Sequence, residues 1–389
     1  MKIKLRQAFD LQMGKTPARN RPDYWNGDHK WISIADIGNA GKLLTKTKES
    51  ITEAGIDGSG IKVVPQGTVI MSFKLSIGKT AITSEDMYTN EAIMAFIDNG
   101  KFAIDTDYLY HLCCGTNWTA GTNKAVMGLT LNKATLLEKE IPLPDINEQH
   151  EIATKLDKID AIIAERQQQL ELIDQAVKSR FIELFGDPLS NDKGWKKVVI
   201  AEVCHAIFGG GTPSKSHPEY FAGSIPWVSP KDMKSSVIND SIDHITEEAI
   251  AHSTTNLVPA NSVLMVIRSG ILKHSLPVAI NSLPVTINQD MKAFVPNETV
   301  KTAFLMHFFK AIENDVLAGV RGVTADNIDF KAFQKRTIIV PPLALQEQFA
   351  AFVEQTDKSK YYSSLSFRYC QAAANTYRQE WMTCRTSDF

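Results

Sequence analysis

The sequence lacks several features that mark common classes of protein. Its 389 residues contain no apolar run near the 18 or more that cross a bilayer, and the N-terminal segment lacks the apolar core of a signal peptide. The five cysteines are an odd number without a C-x-x-C pair, and no histidine lies at zinc-ligand spacing from them. We therefore expect a soluble, cytoplasmic protein with reduced thiols and no metal site.

The sequence also lacks a large excess of positive or negative charge. The formal net charge is −2, which argues against a uniformly basic nucleic-acid binder but allows a local basic patch. Such a patch is present in the first thirty residues, where Asp10, Asp23 and Asp28 are the only acidic residues. The cations there are Lys2, Lys4, Arg6, Lys15, Arg19, Arg21 and Lys30. This segment is therefore the best candidate for phosphate contacts.

Catalytic signatures are absent as well. The sequence contains no H-E-x-x-H and no G-x-S-x-G motif. It also contains no D-P-P-Y or N-P-P-Y tetrapeptide of the type found in amino-methyltransferases. Gly78-Lys79-Thr80 has the ending of a phosphate-binding P-loop, but Phe73 occupies the position of its required first glycine. The absence of these motifs makes an enzyme the less favoured interpretation of this sequence.

The strongest positive signal is an internal repeat. Gly14-Lys15-Thr16-Pro17 recurs as Gly210-Gly211-Thr212-Pro213, and Trp31-Ile32-Ser33 recurs as Trp227-Val228-Ser229. Ile141-Pro142-Leu143-Pro144 is similar to Val340-Pro341-Pro342-Leu343, which we align at a displacement of 199 residues with Gln149 opposite Gln348. Two copies are too few for a solenoid, so the repeat predicts two similar domains related by an approximate two-fold axis.

Each copy has two parts with different patterns. Runs such as 62–72 and 261–267 are rich in Val, Ile and Met with Pro and Gly punctuation, which predicts short strands in mixed α/β globules. After Pro144 a 4-3 heptad seam, interrupted by Arg166 and Arg180, predicts a long helix that packs on another helix. The residues of this predicted helix packing are Ile152, Leu156, Ile159, Ile163, Leu170, Ile173, Val177 and Leu184.

The matching helix of the second copy starts with Leu345, Phe349, Phe352 and Val353 but loses its apolar seam. From about Tyr361 the chain turns to Ser, Tyr, Arg, Gln and Cys. We therefore expect a second helix that is incomplete or divergent after about residue 360, and the sequence leaves these two alternatives open.

These residues resemble the DNA specificity subunit of type I restriction-modification systems. The resemblance covers residues 1 to about 358, and it rests on the tandem copies, on 210–214 and 225–233, and on the start of the long helix in both copies. It implies an α/β (mixed α+β) chain with two target recognition domains separated by long antiparallel coiled-coil helices. The corresponding boundaries are 1–144, 145–187, 188–340 and 341–389.

The resemblance also implies a role and a set of partners. Each half would read one part of a bipartite, asymmetric target on double-stranded DNA, while the helices would set the gap and dock two methyltransferase subunits. The chain itself would be non-catalytic and bind no cofactor. S-adenosylmethionine, ATP and Mg would belong to the methyltransferase and restriction subunits. A scaffold protein with a coiled coil and no specific DNA binding is the alternative, and a self-sufficient DNA-modifying enzyme is a third interpretation.

Candidate contacts follow from repeat positions and polar character. Lys74 and Arg268 share a repeat position after a strand, where a cation could reach a phosphate, whereas Trp31 and Trp227 are expected to be buried anchors of their strands. The candidate DNA contacts are Lys15, Thr16, Arg19, Arg21, Lys74, Lys79, Lys215, Ser229, Lys231, Arg268, Ser269 and Lys273.

Overall fold

The structure is a computed structural model, and it describes residues 1–74, 76–119, 131–320 and 326–383, with side chains to residue 381. The chain forms two compact units. Unit 1 comprises Met1–Gln167 with Leu365–Phe389, and unit 2 comprises Gln168–Ser364. No described helix is long and apolar enough to cross a membrane. In this part of the chain Cys113, Cys114, Cys204 and Cys370 are free thiols, whereas Cys384 lies outside the described residues.

Unit 1 is built on a five-stranded sheet with the order β2-β9-β6-β7-β4, a three-stranded sheet β5-β3-β8 and the pair β1-β10. Its strands are β1 (Lys2–Lys4), β2 (Phe9–Met13), β3 (Trp25–Ile32), β4 (Leu43–Leu44), β5 (Glu49–Ile51), β6 (Val69–Ser72), β7 (Thr80–Thr83), β8 (Tyr88–Thr89), β9 (Ile93–Asp98) and β10 (Glu140–Pro142). Its short helices are α1 (Leu5–Ala8), α2 (Ile34–Asn39), α3 (Glu53–Ser59), α4 (Thr106–Gly115) and α5 (Lys133–Leu137). The long helix α6 (Ile146–Phe185) follows.

Unit 2 repeats this topology strand for strand. Its sheets have the orders β12-β19-β16-β17-β14, β15-β13-β18 and β11-β20. The strands are β11 (Lys196–Val199), β12 (Cys204–Gly209), β13 (Ile225–Val228), β14 (Val237–Ile238), β15 (His244–Ile245), β16 (Val263–Val266), β17 (Val278–Asn281), β18 (Thr286–Ile287), β19 (Met291–Pro296) and β20 (Thr337–Val340). The helices are α7 (Glu247–Ala251), α8 (Thr302–Ala311), α9 (Glu313–Ala318), α10 (Phe330–Phe333) and α11 (Leu343–Thr383). The prediction of two similar mixed α/β domains is therefore confirmed.

A buried glutamine marks the start of each long helix. The Gln149 amide donates to the carbonyl oxygens of Ala103 and Pro144, and the Gln346 amide donates to those of Thr299 and Pro341, at 2.8–3.1 Å. The two glutamines are therefore equivalent at a displacement of 197 residues, and our alignment of Gln149 with Gln348 at 199 was wrong. The proline and leucine residues of the two segments can be aligned at 199, whereas the hydrogen bonds of the two glutamines define the correct displacement of 197.

The heptad seam of α6 is confirmed only in part. Ile152, Leu156 and Val177 are buried, but Ile159, Ile163, Leu170, Ile173 and Leu184 are only partly buried. Near the end of the helix the fully buried side chains are Phe181 and Phe185. Each lies one residue after a position of the predicted seam, Phe181 after Arg180 and Phe185 after Leu184. The cause is that a straight helix drifts by about 20° per heptad against a 3.5-residue repeat, so four heptads rotate the buried face by nearly one residue.

The second long helix does not stop at residue 360. α11 continues to Thr383, which removes the alternative of an incomplete helix and leaves that of a divergent sequence. Its last part packs in unit 1, where Ala374 is buried and Tyr377 and Trp381 lie against the core that contains Ile152 and Leu156. The apolar seam is replaced there by aromatic contacts and by an ion pair of Arg378 with Asp160 at 2.6 Å.

The two long helices run antiparallel where they meet within each unit. In unit 2 Phe181, late in α6, contacts Phe349, early in α11, with ring centroids 5.5 Å apart. Asp174, earlier in α6, pairs with Lys360, later in α11, at 2.6 Å. The contact partners therefore advance in opposite chain directions, as predicted for an antiparallel helix pair.

Candidate nucleic-acid interface

The repeated glycine, threonine and tryptophan form the same local scaffold in both units. The indole N–H of Trp31 donates to the Lys15 carbonyl, and that of Trp227 donates to the Gly211 carbonyl, each at 3.0 Å. A Cβ atom at Gly14 would lie 2.0 Å from the Thr89 carbonyl oxygen, so only glycine fits the approach of these segments. Trp31 is buried as predicted, whereas Trp227 is half-buried and lines a cleft.

The repeated threonine holds the side chain that lies two residues before β9 in unit 1 and two residues before β19 in unit 2. The hydroxyl of Thr16 donates to the Glu91 carboxylate, and that of Thr212 donates to the Gln289 amide oxygen. Partial burial acts to raise the pKa of Glu91, but the Thr16 hydrogen bond and the charges of Lys74 and Arg19 outweigh it and lower this pKa. Glu91 is therefore ionised at neutral pH, and it brings three of the candidate residues together.

Most candidate cations of the first thirty residues are exposed but paired. The Arg19 guanidinium binds Glu49 at 2.5 and 3.0 Å and lies 3.8 Å above the Trp25 ring, and this ion pair lowers the pKa of Glu49. Arg21 pairs with Asp23 at 2.7 and 2.9 Å. The Lys15 ammonium donates to two backbone carbonyls at 3.1 Å. A phosphate would have to compete with these partners, which reduces the gain from each contact.

The loop between β6 and β7 carries Lys74 and Lys79. The Lys74 ammonium lies 5.2 Å from the centroid of the Phe73 ring, and its charge helps to lower the pKa of Glu91. The backbone N–H groups of Gly78 and Lys79 donate to the carbonyl and hydroxyl oxygens of Ser72. These amides are therefore used within the loop and do not form the phosphate nest that a P-loop needs.

Unit 2 contains a surface cleft of about 500 Å³ on the same scaffold. Three of the candidate residues, Lys215, Ser229 and Lys231, lie in its wall. The full lining is Lys215, Pro218, Phe221, Trp227, Ser229, Lys231, Asp243 and Asn288. Ser229 is 5% exposed, and both its hydroxyl and its backbone N–H donate to Asp232, so it shapes the wall by fixing a turn.

The remaining candidates lie along the loop after β16. The Arg268 guanidinium binds Asp290 at 2.6 Å, two residues after Asn288 of the cleft. The Ser269 hydroxyl accepts the N–H of Ile271, at 3.4 Å, and begins a short 3-10 turn. Lys273 lies 3.9 Å from Asp326. The structure thus brings Arg268 close to the cleft residues through the segment 288–290, while Ser269 and Lys273 continue along the same loop.

The packing of α4 on α6 has polar contacts that sequence reasoning missed. His111 on α4 is 1% exposed and lies 2.8 Å from Asp157 of α6, which also binds Lys42 at 2.6 Å. Burial lowers the pKa of His111 despite this carboxylate. The equivalent histidine of α8, His307, contacts the Phe349 ring instead. The displacement of 196 between the two histidines was visible in the sequence, but their carboxylate and aromatic partners were not.

A family model and several similar known proteins all point to the same family. The family model described as type I restriction modification DNA specificity domain matches residues 1–173 and 192–361. The chain is 37% identical over 229 residues to the EcoR124I/EcoR124II specificity subunit of Escherichia coli, a match that spans 56% of this chain and 55% of that protein. It is 24% identical over 374 residues to the MjaIX specificity subunit of Methanocaldococcus jannaschii, covering 90% and 85% of the two chains.

The architecture also has a solved counterpart. The crystal structure of a type I restriction-modification S subunit from M. genitalium aligns over 98% of this chain and 96% of that one, with a TM-score of 0.57 and 14% identity. At this identity the likeness concerns the fold alone. The comparisons agree with the resemblance seen in the sequence and lend no support to the scaffold interpretation. With both repeats matched by its model, the chain belongs to the type I restriction modification DNA specificity domain family.

Proposed function

We propose that this chain is the DNA-reading subunit of a type I restriction-modification complex. Unit 1 and unit 2 each bind one part of a bipartite, asymmetric site on double-stranded DNA. α6 and α11 set the gap between the parts and dock two methyltransferase subunits, to which restriction subunits add. The observation that carries this proposal is that the two units share one strand order but expose different side chains at equivalent positions.

Asymmetry of the target follows from differences at equivalent positions. Arg19 of unit 1 corresponds to Lys215 of unit 2, Ala35 corresponds to Lys231, and Glu91 corresponds to Gln289. A shared scaffold fixes where each unit meets the duplex, and the exposed side chains then decide which bases it prefers. Two units with different side chains therefore read different base sequences.

The complex divides the chemical work among its subunits. This chain is non-catalytic and binds no cofactor in our proposal, while S-adenosylmethionine, ATP and Mg belong to the partner subunits in the cytoplasm. Because the chain has a net charge of −2 and pairs Arg19, Arg21 and Arg268 with its own carboxylates, we expect the partners to supply much of the phosphate neutralisation. Salt dependence of DNA binding should then come mainly from the assembly.

The test is to purify the chain alone and with its neighbouring methyltransferase subunit and to assay both for methyl transfer to DNA. We expect methylated adenine only with the complex, and tight DNA retention only when both subunits are present. Methyl transfer by the isolated chain would contradict the non-catalytic assignment. A stable complex that retains all DNA sequences equally would contradict the reading role.

A further inference from the structure

One position differs chemically between the two units although the same backbone and threonine contacts hold it. Glu91 and Gln289 both follow an asparagine whose backbone N–H donates to the strand carrying the repeated tryptophan, to Ile32 at 3.0 Å and to Val228 at 2.9 Å. Both side chains are exposed, and both accept the hydroxyl of the repeated threonine. The backbone therefore presents a carboxylate in unit 1 where it presents an amide in unit 2.

The hydrogen bond from threonine fixes the orientation of each side chain and leaves capacity for a further partner. The Thr16 hydroxyl binds Oε2 of Glu91, so Oε1 remains an acceptor. The Thr212 hydroxyl takes one of the two lone pairs of Gln289 Oε1, and the amide can still accept there and donate from Nε2. Unit 1 thus offers acceptors only, and unit 2 offers a donor next to an acceptor.

Basic side chains lie near Glu91, and others line the cleft beside Gln289. The hydrogen bonds to Glu91, with smaller contributions from the charges of Lys74 and Arg19, lower the pKa of this carboxylate. In unit 2 the neighbour Asn288 lines the cleft that also contains Lys215 and Lys231. DNA phosphates repel a carboxylate, and nearby basic side chains offset this repulsion. The Glu91 carboxylate is therefore suited to contact a base edge that offers a hydrogen-bond donor rather than a phosphate.

We propose that Glu91 and Gln289 are specificity-determining residues that read base edges in the two parts of the target. Glu91 accepts from the N4 amino group of a cytosine. Gln289 forms the pair of bonds to N6 and N7 of an adenine, and Thr16 and Thr212 are the positioning residues. The proposal rests on the proposed function, because it requires that the assembled complex reads a bipartite site.

The experiment exchanges the carboxylate and the amide between the two positions. Complexes assembled with Gln289→Glu or with Glu91→Gln are assayed for methyl transfer on duplexes that carry each of the four bases at every position of the site. We expect Gln289→Glu to change the preferred base at one position of one part from adenine to cytosine, by about tenfold or more, and to leave the other part unchanged. Glu91→Gln should make the reciprocal change in the other part.

Matched controls keep the outcomes distinct. Gln66→Glu in unit 1 and Glu248→Gln in unit 2 make the same changes of charge at exposed positions away from the threonine, and the preferences should stay as in the wild type. Thr212→Val should relax the preference at the position that Gln289 reads.

Two results would overturn the assignment. One is an unchanged preference at every position in a folded Gln289→Glu complex. The other is an equal loss of methylation on all duplexes. Absence of any base preference in the wild-type complex would instead refute the proposed function.

Discussion

The end of α11 should depend on the ion pair between Arg378 and Asp160 for its packing in unit 1. The Arg378 side chain is 14% exposed and Asp160 is 36% exposed, with both carboxylate oxygens 2.6 Å from the same guanidinium nitrogen. Lys360 and Asp174 provide a matched pair on the same two helices, but their side chains are 38% and 55% exposed. The two pairs therefore separate the effect of burial from that of charge.

The magnitudes follow from exposure. Breaking a fully buried pair costs about 3–5 kcal/mol, but water can reach Asp160 once Arg378→Met removes its partner, so we expect a loss of about 2 kcal/mol. Lys360→Met should cost about 0.5 kcal/mol, as for other exposed pairs. For a unit of this size 1 kcal/mol corresponds to about 2–4 °C in Tm, so Arg378→Met should lower Tm by about 4–8 °C and Lys360→Met by about 2 °C or less.

Thermal unfolding of the two variants measures the difference, and amide hydrogen exchange of residues 365–383 locates it. We expect faster exchange in this segment for Arg378→Met than for Lys360→Met. Equal Tm values for both variants and the wild type would refute the conclusion that this ion pair replaces the missing apolar seam.

Further predictions concern the helix start, the response to pH and DNA binding. Gln346→Leu removes three hydrogen bonds of a buried amide and should cost about 2–3 kcal/mol in urea unfolding, whereas the exposed Gln348→Leu should be nearly neutral; equal effects would contradict the displacement of 197. Burial and two nearby lysines lower the pKa of His307 from 6.5 to about 3, so the folded state resists protonation and stability is lost as pH falls from about 6.5 towards 3. His307→Gln should therefore lose less stability than the wild type between pH 7 and pH 4, and an identical loss would argue against this role. Replacing Lys74 and Arg268 with Ala should weaken DNA binding by the assembled complex similarly on all sequences and reduce the slope of log K against log salt by about 2, and unchanged binding would remove both as phosphate contacts.

Much of the fold was predictable because the repeat carries architectural residues. Gly14 and Gly210 recur since a Cβ atom would meet a backbone carbonyl, and Trp31 and Trp227 recur since each indole ties its strand to the glycine segment. The continuation of α11 was harder to predict, because its packing uses an ion pair and two aromatic rings in place of an apolar seam.

The candidate site was predictable only near the repeated motifs. Lys215 and Lys231 flank Trp227 in the sequence and also lie together in the cleft. Asn288 reaches the same cleft because β18 pairs in parallel with β13, an interaction between segments about sixty residues apart that local patterns do not encode. The equivalence of Gln289 and Glu91 follows from their threonine hydrogen bonds and from the backbone contacts of the preceding asparagines, which the sequence does not show.

The measurement that tests the central claim most directly is a map of adenine methylation in host DNA when this chain is expressed with its neighbouring methyltransferase subunit. Two units with different exposed side chains on one scaffold predict a single asymmetric motif in two parts with a gap of fixed length. A continuous motif, a symmetric one or methylation without sequence preference would contradict the account.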